Sequence, residues 1–253
     1  MPEQYEKEDL RHRQGFHLRT YEMDQFGYLS PTGLIRLLQE AAMQHVLRLK
    51  ISAVELGKRG LGWALIQQQT DIFRWPDLRE EVEILTYPCG YNRAFTYRDF
   101  LCYDASGELI AQSRTTWLLM DIVARKMAAY PEDILALLEA SKANEHLPRA
   151  DRRFPMAEGE VMFPDFVPGW YDLDFNGHVS NAVLVKAMLE GLPKDLLATH
   201  QLRQLNIKFQ EEAHLGEALS RSVAALEAGK WALHLKRGDT SLVRAYSEWD
   251  PKA

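Results

Sequence analysis

One short segment of this 253-residue chain brings together side chains that can move protons. The segment Asp174-Phe-Asn176-Gly177-His178 holds a carboxylate, an amide and an imidazole within five residues. Carboxylates and imidazoles can take a proton from water, and amide N–H groups can stabilise a negative oxygen. Gly177 lets the backbone approach closely, so the N–H groups from Gly177 to Val179 are candidates for orienting water or a carbonyl group. A structural interpretation stays open, in which Asp174 and Asn176 only form turn and capping hydrogen bonds.

A second carboxylate, Glu212, follows a strand-like run at residues 205–210. Where a helix packs on a sheet, the end of such a strand can lie beside the start of the helix, so Glu212 can face Asn176 and His178. A desolvated Glu212 would have a raised pKa there and would act as a base near neutral pH. The alternative is a solvated charge that discourages edge-to-edge aggregation, and periodicity does not choose between the two.

The elements that must position these side chains occur twice. Residues 21–30 and 171–180 match at an offset of 150 residues, with Tyr, Asp, Gly and Ser coinciding. Each segment precedes a run with helical apolar spacing, and each run is followed by strand-like segments joined by turns. Further along the chain, Phe73 of the first copy aligns with Phe209 of the second, at an offset of 136. The order predicts an α+β protein of two tandem units, each a buried central helix wrapped by an antiparallel β-sheet.

Prolines and polar residues separate the two copies and predict a linker. We place the first unit at residues 1–140, the linker at 141–165 and the second unit at 166–253. The first copy has Phe26 and Tyr28 where the second has Asn176 and His178, so the chemistry is predicted for the second unit.

Charge and cysteine content exclude several other classes of protein. Against 36 Asp and Glu, 30 Lys and Arg give a net charge of −6, which repels nucleic acid and anionic membranes. Cys89 and Cys102 fit neither a disulfide framework nor a metal cluster, so we expect no metal and no cofactor. The N-terminus has no apolar signal core, and no run approaches the ~20 apolar residues of a membrane span, so we expect a cytoplasmic protein.

These segments and several others resemble the acyl-ACP thioesterases, the plant and bacterial hydrolases that release fatty acids from acyl carrier protein. The resemblance covers almost the whole chain. The matching stretches are residues 19–22, 37–41, 58–65, 111–120, 125–126 and 172–181, of which the last is the most specific. The resemblance implies a tandem hotdog fold, with one hotdog unit in each half, and a substrate carried as a thioester on the phosphopantetheine arm of acyl carrier protein.

Carried over to this chain, the family's polar site falls on Asp174, Asn176, His178 and Glu212. Ala213 follows Glu212 where relatives often have Cys, and the second half has no thiol, so attack by a carboxylate-activated water is favoured over a cysteine nucleophile. Glu212 is the expected base, and His178 polarises the water or protonates the leaving sulfur. Asn176 and the nearby backbone orient the reactants, and Asp174 holds the loop.

The first unit, without the polar pair, is expected to house the acyl chain. Leu38 and Trp63 are candidate substrate-binding residues, although for any single such residue a core position is the commoner role. Two alternatives have the same fold: an acyl-CoA thioesterase, and a catalytically weak acyl-binding module, which Ala213 makes conceivable. A monomer and a homodimer of such tandem pairs are equally compatible with the sequence.

The carrier protein implied by the resemblance is strongly acidic, as is this chain. Docking therefore requires a local basic patch. The candidates lie in the second half and are Lys186, Lys194, Arg203, Lys208, Lys230 and Arg237.

Overall fold

The computed structural model describes residues 10–152, 154–155, 161–227 and 229–252. The chain divides into two compact units. The first comprises the described residues up to Gln68 together with Phe73–Ala150, and the second comprises Gln69–Ile72 together with the described residues from Asp151 onward. This division lies inside the predicted 141–165 linker, of which residues 153 and 156–160, like residues 1–9 of the first unit, fall outside the described ranges. The predicted boundaries at 140 and 166 stay a prediction.

The first unit wraps a five-stranded arrangement around one long helix. Its elements are β1 (His12–His17), α1 (Pro31–Arg48), α2 (Ala53–Gly57), β2 (Leu61–Ile72), β3 (Glu81–Asn92), β4 (Phe95–Asp104), β5 (Leu109–Asp121), β6 (Lys126–Met127) and α3 (Glu132–Ser141). The strand order is β1-β3-β4-β5-β2, with β6 paired to β5. The pairs β1–β3, β3–β4 and β4–β5 are antiparallel, and α1 contacts β1 and β3.

Helix α1 begins where the sequence predicts. Ser30 is its N-cap residue and accepts a hydrogen bond from the Gly33 N–H at 3.0 Å, while Pro31 occupies the first helical position. Both features satisfy or remove backbone donors that the first turn leaves without partners. The apolar side of α1, including Leu34 and Leu38, is buried, so packing against the sheet stabilises the helix.

The second unit repeats the plan with a shorter helix. Its elements are β7 (Val161–Phe166), α4 (Asn181–Leu189), α5 (Lys194–Thr199), β8 (His200–Phe209), β9 (Leu219–Glu227), β10 (Lys230–Arg237) and β11 (Thr240–Pro251). The strand order is β8-β11-β10-β9-β7, all in antiparallel pairs. Helix α4 contacts β9 and β10 and is buried on most sides, as its apolar sequence predicts. The predicted α+β class and tandem hotdog fold are therefore confirmed.

Hydrogen bonding corrects the internal alignment by one residue. The Phe73 N–H donates to the Ile110 carbonyl oxygen, and the Gln210 N–H donates to that of Leu242. Phe73 therefore corresponds to Gln210, at an offset of 137, and its match with Phe209 is wrong. The sequence match aligned two phenylalanines, whereas the strand register is set by backbone pairing, which side-chain identity does not report.

Residues 141–150 pack on the rest of the first unit through polar contacts. The Gly90 N–H donates to Ser141 Oγ at 2.9 Å, and Asn144 Nδ2 donates to the Pro88 carbonyl oxygen at 2.9 Å. The Leu147 N–H donates to Asp99 Oδ2 at 2.6 Å.

None of the helices in the described ranges has the length and apolar character needed to cross a membrane.

Candidate active site

Asp174 organises the loop that carries Asn176 and His178. Its Oδ1 accepts hydrogen bonds from the backbone N–H groups of Asn176 at 2.8 Å and His178 at 3.2 Å. Its own N–H donates to the His178 carbonyl oxygen at 2.8 Å. Gly177 has φ +79°, in the left-handed region that glycine adopts without steric cost. The loop is thus a tight turn closed by one carboxylate.

Backbone hydrogen bonds fasten this loop to the segment that carries Glu212. The Val179 N–H donates to the Ala213 carbonyl oxygen at 2.9 Å. As a result, His178 Nε2 lies 3.5 Å from Glu212 Oε2. The sequence analysis expected Glu212, at the end of its strand, to face His178 near the start of the helix, and the two side chains are neighbours in the structure.

The His178–Glu212 pair is open to solvent. The side chains are 34 % and 41 % exposed, respectively. The expected desolvation of Glu212 is therefore not found, because water reaches both side chains.

The backbone donors expected between Gly177 and Val179 are already engaged. The Gly177 N–H donates to the Asp174 carbonyl oxygen at 3.0 Å, and the His178 and Val179 N–H groups have the acceptors described above. The Gly177 and His178 N–H groups therefore close the turn on Asp174, and the Val179 N–H fastens the loop to the Glu212 segment, so none of the three is left to face a substrate.

Donors without acceptors lie instead in the first turn of α4. Its N-cap residue, Ser180, makes no side-chain capping bond. Within the described part of the chain, the N–H groups of Asn181 and Ala182 have no hydrogen-bond acceptor. The helix dipole adds partial positive charge at this end. Asn176, on the exposed side of the loop, offers a further donor, since its Nδ2 has only a 3.4 Å contact with Asp174 Oδ2.

His214 lies beside the pair, and the sequence analysis did not assign it a role. Its ring meets the His178 ring edge-on, with centroids 5.4 Å apart. The His214 N–H donates to Glu217 Oε2 at 3.0 Å, and Glu217 also accepts from Arg237 Nη1 at 2.9 Å. The sequence does show a histidine two residues after Glu212, which could have suggested a role in the site. Only the fold shows that its ring packs against His178.

Neither cysteine is suited to nucleophilic attack. Cys89 and Cys102 both lie in the first unit and are buried. Burial raises the pKa of Cys89 to about 12 and that of Cys102 to about 12, so both stay protonated near neutral pH. Ala213, the residue after Glu212, is 1 % exposed, and its carbonyl oxygen accepts the Val179 N–H.

Leu38 and Trp63, the predicted substrate-binding residues, both lie in the first unit. Leu38 is 2 % exposed on α1. Trp63 on β2 is partly buried against a cluster that includes Leu56 and Ile134, and its indole N–H donates to the Ile51 carbonyl oxygen at 3.0 Å. Both side chains therefore have packing roles, and contact with a substrate stays a prediction.

A metal centre and a cavity are two other kinds of place where a ligand could bind. Across the described ranges, no group of three or more His, Cys, Asp and Glu side chains is arranged to hold a metal ion. The second unit has a cavity of about 560 Å³ whose lining includes Gln204, Asn206 and Tyr246. None of the four catalytic candidates lines it.

Comparison with known proteins gives a consistent result. The family model for the acyl-ACP thioesterase N-terminal domain matches residues 9–138, and that for the C-terminal domain matches residues 157–251. The chain is 27 % identical to the chloroplastic acyl-[acyl-carrier-protein] hydrolase FATB2 of Cuphea viscosissima, over 97 % of this chain and 64 % of that protein. It is 24 % identical to the chloroplastic dodecanoyl-[acyl-carrier-protein] hydrolase of Cinnamomum camphora, over 95 % and 68 %. The chain thus spans about 64 % of the length of the former.

Solved structures share the fold. The 12:0-ACP thioesterase from Umbellularia californica matches with a TM-score of 0.88 and 22 % identity, over 96 % of this chain and 98 % of that one. An acyl-ACP thioesterase from Bacteroides thetaiotaomicron matches with a TM-score of 0.86 and 20 % identity, over 97 % and 100 %. At these identities the structures establish the architecture. Because the two family models together cover most of the sequence, in the order of the two units, this chain belongs to the acyl-ACP thioesterase family.

Proposed function

We propose that this protein hydrolyses the thioester of a fatty acyl chain carried on acyl carrier protein, releasing a free fatty acid and the carrier's thiol. The observation that carries the proposal is the His178–Glu212 pair, held 3.5 Å apart beside the first turn of a buried helix. Family membership and the names of the relatives support the substrate class.

The pair suits activation of a water molecule. Glu212 takes a proton from the water, whose oxygen attacks the thioester carbonyl carbon, and the carbonyl electron pair moves onto oxygen. Glu212 passes the proton to Nε2 of His178. The carbon–sulfur bond then breaks as the tetrahedral intermediate collapses, and the imidazolium donates a proton to the leaving sulfur. Water and thioester are thereby converted to carboxylic acid and thiol.

The negative oxygen of the intermediate needs hydrogen-bond donors. We assign this role to the Asn176 side chain and to the N–H groups of Asn181 and Ala182, because the donors from Gly177 to Val179 already have acceptors in the protein. Removing one such donor typically costs 10² to 10³ in turnover. Asp174 acts as a positioning residue through the turn that it closes.

We further propose that the first unit binds the acyl chain, with Leu38 and Trp63 among the residues that contact it. The first unit has aromatic residues at the positions equivalent to the catalytic ones, and its interior is apolar around α1. An apolar interior favours a fatty tail through the hydrophobic effect.

The direct test is hydrolysis of acyl-ACP by Glu212→Gln and His178→Ala variants. Each removes one proton-transfer group, so we expect kcat to fall by about 10² to 10⁴ with little change in the unfolding temperature. Dodecanoyl- and palmitoyl-ACP are suitable substrates, with release of the carrier thiol as the readout. Glu211→Gln is the matched control, because Glu211 is an exposed carboxylate on the same segment. Near wild-type turnover in both variants would contradict the assignment.

The two alternatives give different results in the same assay. An acyl-CoA thioesterase would have a higher kcat/KM for acyl-CoA than for acyl-ACP of equal chain length. An acyl-binding module would bind the acyl ligand tightly and release no thiol. We expect turnover with acyl-ACP and a preference for it over acyl-CoA.

A further inference from the structure

Two cations face each other on the second unit's sheet without an acidic partner. Lys208 on β8 and Arg244 on β11 are directly opposite in the antiparallel register. Across the described ranges, neither forms an ion pair, and Arg244 contacts only Ser241 Oγ, at 3.4 Å from its Nε. Like charges directly opposite on neighbouring strands destabilise a sheet. A bound anionic partner would offset that cost.

Two further basic residues lie on the same face. His234 on β10 is directly opposite Arg244, and Lys236 follows two residues later on the same strand. The alternate residues Ile207, Val243 and Leu235 are buried and point to the other side of the sheet. The basic patch, as we define it here, consists of Lys208, His234, Lys236 and Arg244 on the outer face.

Most of the basic residues that the sequence suggested for docking are paired with acids. Lys186 pairs with Glu190 at 3.6 Å, and Arg203 pairs with Glu248 at 2.9 Å. Lys230 pairs with Glu227, and Arg237 pairs with Glu217. Such pairs present little net charge to a partner. Lys208 is the candidate that lies in the basic patch.

The first copy of the repeat, which includes all of β2, serves as an internal reference for this face. At the offset of 137, Lys208 corresponds to Asp71. Arg244 corresponds to Gln112, because Leu242 and Ile110 are equivalent acceptors two residues earlier. His234 corresponds to Leu101, the residue opposite Gln112. The same fold therefore forms without these cations, which occur only in the unit that carries the His178–Glu212 pair.

The basic patch is continuous with the candidate site. Strand β8 ends at Phe209, one residue after Lys208, and the chain continues through Gln210 to Glu212, a span of four residues or at most about 14 Å. Ser241, which contacts His234 and Arg244, donates to Gln210 Oε1 at 2.8 Å. Arg237, next to Lys236, donates to the Glu212 carbonyl oxygen at 3.4 Å. A partner seated on the patch would have its attached substrate within reach of the pair.

We propose that the basic patch is the docking surface for the acidic face of the acyl carrier protein. This inference rests on the proposed function, which supplies an acidic protein as the substrate's carrier. Since the whole chain has a charge of −6, long-range attraction is unavailable and a local patch must orient the carrier.

The test uses the full chain with the double substitution Lys208→Glu and Arg244→Glu. We expect KM for acyl-ACP to rise roughly ten-fold at low salt with kcat within about two-fold of wild type, because the substitutions act on encounter and not on chemistry. In the wild type, KM should rise as salt increases from about 20 to about 300 mM, and this dependence should flatten in the variant. Hydrolysis of acyl-pantetheine, which has neither carrier nor phosphate, should be unchanged.

Lys58→Glu with Lys126→Glu is the matched control, because both lysines are exposed in the first unit and the charge change is equal. An unchanged KM for acyl-ACP in the patch variant would overturn the docking surface, as would an equal rise in the control. A rise for acyl-CoA equal to that for acyl-ACP would also overturn it, by assigning the patch to phosphate. Wild-type protein that does not hydrolyse acyl-ACP would instead refute the proposed function.

Discussion

The two matching loops, residues 21–30 and 171–180, have the same backbone hydrogen bonds but differ in the side chains that follow the shared aspartate. Asp24 Oδ1 accepts from the Phe26 and Tyr28 N–H groups at 2.9 and 3.0 Å, as Asp174 Oδ1 accepts from those of Asn176 and His178. Gly27 has φ +83° and Gly177 has φ +79°. The loop is therefore a self-sufficient turn, and catalysis is not needed to explain it.

The differences fall on three positions around this shared backbone. Phe26 and Tyr28 replace Asn176 and His178. The Leu29 N–H donates to the Pro76 carbonyl oxygen as that of Val179 donates to Ala213, so Trp75 is the equivalent of Glu212. All three polar side chains of the second unit correspond to aromatic ones in the first. The loop backbone therefore forms with or without the polar side chains, and Asp174, like Asp24, holds that backbone together.

The largest expected effect comes from transferring the first loop's side chains to the second. Asn176→Phe with His178→Tyr should reduce kcat for acyl-ACP by at least about 10², because it removes the imidazole and an oxyanion donor. The unfolding temperature should change little, since the first loop tolerates both residues. In the reciprocal control, Phe26→Asn with Tyr28→His, kcat should stay within about two-fold. A large loss in the control would mean that the loops are not separable in this way.

An intermediate effect is expected from the two scaffold aspartates. Asp174→Ala and Asp24→Ala each remove an acceptor of two backbone N–H groups, so each should lower the free energy of unfolding by about 1 to 2 kcal/mol. Only Asp174→Ala should also lower kcat, because only that loop carries side chains proposed for catalysis. Urea unfolding and acyl-ACP turnover measure the two quantities. Equal turnover in both variants would show that loop geometry in the second unit does not matter for catalysis.

The smallest effect distinguishes the two helix starts. Ser30 caps α1 through Gly33, so Ser30→Ala should cost about 1 kcal/mol of unfolding free energy. Ser180 makes no capping bond, so Ser180→Ala should cost a few tenths of a kcal/mol at most. Equal costs, measured by urea unfolding, would mean that Ser180 caps α4 in solution and that the first-turn donors are not free for an oxyanion.

The sequence predicted the repeat, the elements and the candidate residues to different degrees. Tandem α+β units followed from two apolar helical patterns and two matching decapeptides, since burial periodicity is a local property. The alignment of Phe73 with the second copy was wrong by one residue, because backbone pairing, and not side-chain identity, sets the equivalence of the two strands. The state of the Gly177–Val179 donors was also missed, since a hydrogen-bond partner such as the Ala213 carbonyl oxygen is remote in sequence.

The basic patch shows the same limit. Of its residues, the sequence suggested Lys208 but not Arg244, because nothing local indicates that the two lie on opposed strands. The sequence also shows Arg237 as a positive charge, but it does not show that Glu217 lies beside it and neutralises it. Charge neutralisation depends on distances that only the fold defines.

By itself, the sequence determined that this protein has two diverged copies of one unit and that Asn176, His178 and Glu212 distinguish the second copy. Residue type and short-range spacing carry that information. Tertiary structure alone decided that His178 and Glu212 lie 3.5 Å apart, that His214 packs on His178, and which backbone donors remain available. The physical reason is that hydrogen bonds and ring contacts act over a few ångströms, and chain positions more than thirty residues apart meet only through the packing of the whole unit.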